Sequence, residues 1–145
     1  MNEEEFNFSI VVQTRFSDID SLGHVNNAVY LSYFEDSRVH YFRHVLDIRT
    51  VDSASLGIIV LEFRCRYNTP VYFGESLKVF SRISWMKNKS MEMQYLASSN
   101  ADKRIVAEGS SILVAYDYSG KKSIEIPDVT RRKISEFEKI SMKIN

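Results

Sequence analysis

Between Asp18 and Asn27 the chain reads Asp-Ile-Asp-Ser-Leu-Gly-His-Val-Asn-Asn, which puts two carboxylates, an imidazole and two amides into one short polar run. Carboxylate and imidazole are the side chains of nucleophilic and acid–base catalysis. Directly behind them an apolar pattern of helical spacing begins, containing Tyr30, Tyr33, Phe34 and Glu35. A helix start leaves about four amide N–H groups without intrahelical partners and carries the positive end of the helix dipole. The run therefore pairs proton-transferring side chains with an electropositive backbone. A purely local reading also exists, in which Asp20 makes an Asx turn ahead of the helix.

The elements that must position this run follow from periodicity. Phe6 to Phe16 reads as a strand, with Phe6, Phe8, Ile10, Val12, Thr14 and Phe16 on one alternating face. Asp18 to Asn27, lacking an apolar period, is the loop. From Ala28 to about Leu46 the pattern is helical, with Tyr30, Phe34, Tyr41 and Val45 in one stripe and Asn27 as the expected N-cap. Such a helix spans about 28 Å and can lie across a whole sheet.

After a connection from Asp47 to Gly57 the chain alternates in strands. Ile59, Leu61, Phe63, Cys65 and Tyr67 share one face of the first of these, against Glu62, Arg64 and Arg66. A turn bracketed by Pro70 and Gly74, a strand Leu77–Trp85, its return Met91–Ala97 and a long strand from Arg104 to Tyr116 follow. Gly109 within that last strand predicts a bulge or a close backbone approach. Thr130 is the expected cap of a short charged helix running to Ile140. One long helix and some five antiparallel strands predict an α+β fold in which the sheet wraps the helix, as a single domain over residues 1–145.

Composition limits what this fold serves. The 19 basic and 19 acidic residues balance, so no global field draws the chain to nucleic acid. No apolar run approaches the length of a membrane span. Met1 to Glu5 has neither the basic nor the apolar region of a signal peptide, and a single Cys65 forms no internal disulfide framework, so a cytoplasmic setting is expected. His40 and His44 stand four apart without a third ligand at metal-site spacing, and the 5 glycines are too dispersed for a phosphate-cradling loop. No metal or cofactor is expected.

The string Asp18-x-Asp20-x-x-Gly23-His24-Val25-Asn26-Asn27-x-x-Tyr30-x-x-Tyr33-Phe34-Glu35-x-x-Arg38 resembles the signature of hotdog-fold acyl-CoA thioesterases of the 4-hydroxybenzoyl-CoA thioesterase type. The Pro70-x-x-x-Gly74-Glu75 turn, the strands beyond it and Ile126-Pro127 before the terminal helix extend the similarity over nearly the whole chain. The resemblance implies that Asp20 takes the place of the catalytic aspartate and that the backbone N–H of Asn27 faces the thioester carbonyl. Asp20 would attack that carbonyl to give a mixed anhydride, or hold and deprotonate a water. A free aspartate, with a pKa of about 3.9, is a feeble base at neutral pH, so the second route needs a strongly polarised substrate. His24 is placed to protonate the leaving thiolate or orient a water, or else to make a structural hydrogen bond.

Asn26, Tyr30 and Glu35 are substrate-positioning candidates, although Tyr30 lies on the buried stripe and Glu35 stands three residues from Arg38, the spacing of an ordinary helical ion pair. Arg131 and Arg132 are the candidates for the phosphates of coenzyme A, since guanidinium forks suit phosphate. The expected substrate is an acyl-CoA, with acyl carrier protein thioesters as the alternative carrier. The expected assembly is a homodimer, or a homotetramer built from it. Two rivals remain open: a hotdog hydratase or dehydratase using His24 with a carboxylate, and a non-catalytic acyl-CoA-binding module.

Overall fold

The computed structural model describes residues 1–141. Strand β1 (Ser9–Gln13) leads through a 3-10 turn at Phe16–Asp18 and the polar loop into helix α1 (Val29–Leu46). A one-turn helix α2 (Ser53–Leu56) interrupts the connection to β2 (Ile58–Tyr67), and β3 (Ser76–Met86), β4 (Ser90–Ser99), β5 (Ile105–Asp117) and a two-residue β6 (Lys122–Ser123) follow before α3 (Asp128–Glu138). The strands form one antiparallel sheet in the order β1-β3-β4-β5-β2, with β6 hydrogen-bonded to β5. The sheet curls about α1, as the order of elements predicts, and this is the hotdog arrangement that the resemblance implies.

Helix α1 buries Tyr30, Tyr33, Phe34, Ser37, Tyr41 and Phe42. Large rings on one face drive the packing, each contributing about 1.5–3 kcal/mol on full burial. Ser37 sits among them because its small side chain lets the helix approach β3, where its hydroxyl meets Ser81 Oγ at 2.9 Å. Phe34 and Tyr95 stack at 5.0 Å between ring centroids, and Phe63 packs against both. Gly109 makes this possible. A Cβ there would meet the Arg64 carbonyl at 3.1 Å and the Phe34 ring at 3.3 Å, so the predicted close approach is found, with the strand register unbroken at this point.

Four local expectations need correction. Strand β1 is shorter than Phe6–Phe16, because the chain turns at Phe16, which is 79% exposed and packs edge-on against Phe73. In β2 the pairing shifts between Val60 and Glu62, and this bulge turns Leu61 out to solvent and away from the face it was expected to share with Phe63 and Cys65. Asn27 does not cap α1: the N-cap position falls on Ala28, which makes no side-chain cap, and the Asn26 side chain bonds just ahead of the helix, its Oδ1 accepting from Ala28 N–H at 2.9 Å. Helix α3 begins at Asp128 after Pro127, so Thr130 lies in its first turn and not at its cap.

Candidate active site

The polar loop is a small closed structure held by its own backbone. Ile19 and Val25 form an antiparallel bridge, Gly23 N–H donates to the Asp20 carbonyl at 3.0 Å, and Asp20 N–H donates to the His24 carbonyl at 3.2 Å. Gly23 completes this turn at φ +86°, a conformation that side chains rarely adopt. Val25 N–H reaches the Val71 carbonyl at 2.8 Å, tying the loop to the segment between β2 and β3.

Asp18 is the buried anchor. Its carboxylate accepts from Tyr33 Oη at 2.6 Å, from Arg15 N–H at 2.9 Å and from the Arg15 guanidinium at 3.0 Å. Burial alone would raise its pKa, but the bonds from Tyr33 and from Arg15 together outweigh burial and hold it below the usual carboxylate value. Burial, reinforced by the bond to Asp18, pushes the Tyr33 phenol up. Arg15 and Asp18 are thus stabilisers of the loop, as their positions suggest.

Asp20 has both the local and the chemical setting considered for it. Its Oδ1 accepts from Leu22 N–H at 2.9 Å, an Asx turn, while Oδ2 accepts from Asn26 Nδ2 at 3.0 Å. Asn26 thereby bridges the half-buried carboxylate to the start of α1. The N–H groups of Ala28 and Val29 are taken by Asn26, at its Oδ1 and at its carbonyl (3.0 Å) respectively. Among the described residues the Asn27 N–H has no partner.

Asn27 is one of the residues lining a cleft of about 400 Å³, together with His24, Val25, Tyr30, Tyr67, Asn68, Thr69 and Pro70. Tyr30 is buried, edge-on to Tyr67 at 5.3 Å, and burial pushes its phenol up to about 12. The His24 Nδ1 lies 3.2 Å from the Val25 carbonyl. A carbonyl only accepts, so Nδ1 carries the proton in that bond, and Nε2 is the ring nitrogen left without a partner among the described residues. Among the described residues no hydrogen bond joins the His24 ring to the Asp20 carboxylate, whose oxygens accept from Leu22 N–H and Asn26 Nδ2. The acid–base pairing that the hydratase rival would use is absent from the described hydrogen bonds.

Of the candidates from sequence, His24, Asn27 and Tyr30 meet at the cleft, and Asn26 links Asp20 to them from just outside it. Glu35 is not brought in. It is exposed on α1 and pairs with the Arg38 guanidinium at 3.4 Å, because its position faces away from the stripe that Tyr30 occupies. Nor do the arginines of α3 approach the cleft lining. Arg131 is buried, its Nη2 donating to the carbonyls of Lys87 (2.6 Å) and Asn88 (3.2 Å), so its guanidinium braces the β3–β4 hairpin, and Arg132 is exposed on α3. Tyr67, Asn68 and Thr69 escaped notice because a strand end and a turn carry no chemical pattern of their own. Among the described residues no three His, Cys, Asp or Glu side chains are grouped so as to hold a metal ion.

The curled sheet around one long helix, with a polar loop capping that helix, defines a hotdog-fold protein. The thioesterase-like superfamily model matches residues 14–134, and the chain belongs to that family. Its fold superposes on a thioesterase of Thermus thermophilus, crystallised with coenzyme A and Zn, at a TM-score of 0.83, with 30% identity over 95% of this chain and 98% of the other. In sequence it is 20% identical to the long-chain acyl-CoA thioesterase FadM of Escherichia coli (strain K12) over 88% of this chain and 97% of FadM. It is also 26% identical to the uncharacterized protein YsmA of Bacillus subtilis (strain 168), over 85% and 82% of the two chains. Among the described residues no helix is long and apolar enough to cross a membrane.

Proposed function

We propose that this thioesterase hydrolyses acyl-CoA to a free acid and coenzyme A, with the thioester oxygen received by the Asn27 N–H and Asp20 supplying or activating the nucleophile. The observation that carries the reading is that Asn27, a residue lining the cleft just before α1, has an unpartnered amide among the described residues, while the amides of Ala28 and Val29 beside it are satisfied. A donor of this kind, fixed in advance and aided by the helix dipole, stabilises charge as it develops on the carbonyl oxygen. The coenzyme A held by the Thermus relative and the activity named for FadM support the substrate class.

In this reading His24, through Nε2, accepts from the substrate or orients the water, and Tyr30 and Tyr67 form an apolar wall beside the acyl carbon. The cleft is open on one side, and a second copy of the chain closes it. Carrier-protein thioesters are the alternative form of the same substrate.

The test is thiol release from short, medium, long and aromatic acyl-CoAs and from carrier-protein thioesters, run on wild type and Asp20→Asn together. Asp20→Asn should keep its fold and lose about a hundredfold or more of turnover. Hydrolysis at the wild-type rate by that variant overturns the role of Asp20.

A further inference from the structure

Tyr67 closes strand β2, and its hydroxyl donates at 2.9 Å to the carbonyl of Asn27, a residue 40 positions earlier in the chain. The side chain is not core filling, for Tyr67 remains 46% exposed. Its ring instead meets Tyr30 edge-on, and Tyr30 and Asn27 both line the cleft.

Asn27 lies between two peptide planes. The plane before it carries the Asn26 carbonyl, which accepts from Val29 N–H at 3.0 Å, and the free Asn27 N–H. The plane after it carries the Asn27 carbonyl, held by Tyr67, and Ala28 N–H, held by the Asn26 side chain at 2.9 Å. Three of the four polar groups on these planes are fastened, and the fourth is left pointing where the other three set it. Two of the three fastenings come from Asn26 and Val29 beside the helix start. The third comes from the sheet.

We infer that Tyr67 is a positioning residue: its hydroxyl, by holding the Asn27 carbonyl, sets the direction of the Asn27 N–H that receives the thioester oxygen, an assignment that rests on the hydrolase reading above. A donor works on a developing oxyanion only within about 2.7–3.1 Å, so a small tilt costs the transition state more than the bound substrate. Loss of the hydroxyl alone should therefore lower kcat and spare KM, since the phenyl ring still forms the wall and still meets Tyr30.

The experiment compares wild type, Tyr67→Phe and Asp20→Asn on the acyl-CoA panel, with thermal midpoints and the Asn27 carbonyl and amide resonances of the unliganded protein. Tyr67→Phe should lower kcat about tenfold, the effect of about one hydrogen bond, with KM within about twofold and the midpoint unchanged, and the Asn27 resonances should move. Four results would overturn the inference: kcat within about twofold of wild type, a rise in KM at unchanged kcat, a kcat loss that only follows a falling midpoint, or unmoved Asn27 resonances. A wild type with no turnover on any substrate instead defeats the hydrolase reading itself, and an Asp20→Asn protein as active as wild type defeats only the role given to Asp20. The Asn27 resonances then decide whether Tyr67 still governs that peptide.

Discussion

The side chain of Asn26 holds Asp20 and the start of α1 in one geometry, donating to the Asp20 carboxylate at 3.0 Å through Nδ2 and accepting from Ala28 N–H at 2.9 Å through Oδ1. An amide can do both at once, whereas a carboxylate has no donor and an alkyl group has neither.

Asn26→Asp should therefore be more damaging than Asn26→Ala. The aspartate sets a second negative charge against Asp20, whereas alanine only loses the two hydrogen bonds, each worth about 0.5–3 kcal/mol. Thiol-release rates and thermal midpoints for both variants check this; an Asn26→Asp protein as active as wild type would refute it.

Asp18 predicts a defined pH dependence. Its pKa in the fold lies below the ordinary 3.8, so the stability it contributes is present above that value and is lost as the pH falls through the lower, folded one. Asp18→Asn should lose about 1–3 kcal/mol at neutral pH, where bonds from Tyr33 and Arg15 to a charged carboxylate are replaced by weaker ones. The gap between the two proteins should narrow in acid below pH 3.8. Urea midpoints across the acid range measure it.

Glu138 behaves in the opposite sense. Its Oε1 accepts from Tyr41 Oη at 2.5 Å and from Ile83 N–H at 3.0 Å, yet burial outweighs these bonds and raises its pKa above the ordinary 4.5. A raised carboxyl contributes stability that is fully present below the unfolded value and is lost as the pH rises through the folded one. Glu138→Gln keeps an acceptor oxygen without the buried charge, so its midpoint at neutral pH should equal or exceed that of wild type. A clear loss of stability at neutral pH would show that the charge itself is needed.

At Gly109 a methyl group would press on the Arg64 carbonyl and on the rings of Phe34 and Phe63. Gly109→Ala should destabilise by about 1–3 kcal/mol, the usual cost of overpacking. A shifted denaturation midpoint at constant slope would show it, and no shift would mean that the two rings move freely.

The fold was legible because its signals are long and periodic: α1 declares itself through Tyr30, Phe34 and Tyr41, and β3 to β5 through their alternation. The errors lie where a single backbone event changes phase. The bulge beside Leu61 adds one residue and flips the face, and nothing in a run of Ile, Val and Leu marks where that happens. The cap expected at Asn27 is not made: the helix starts one residue later, with Ala28 at the N-cap and no side-chain cap, and it is Asn26 that bonds the Ala28 amide ahead of it. In the candidate site, Asp20, His24 and Asn27 could be named as candidates because they stand together in one short polar run. Tyr67 could not, since its bond to Asn27 spans 40 residues and depends on where the sheet closes.

That same distance orders events in time. The loop is braced by Val71 and Tyr67, which lie far behind it in the chain, so α1 can wind before its amino end has been fastened. Helices form within about a microsecond, whereas pairing between remote segments must first close a loop and is slower. On refolding, helical circular dichroism should return ahead of acyl-CoA turnover, and recovery of both at one rate would contradict this order. Turnover thus marks the moment at which sheet and helix start are joined.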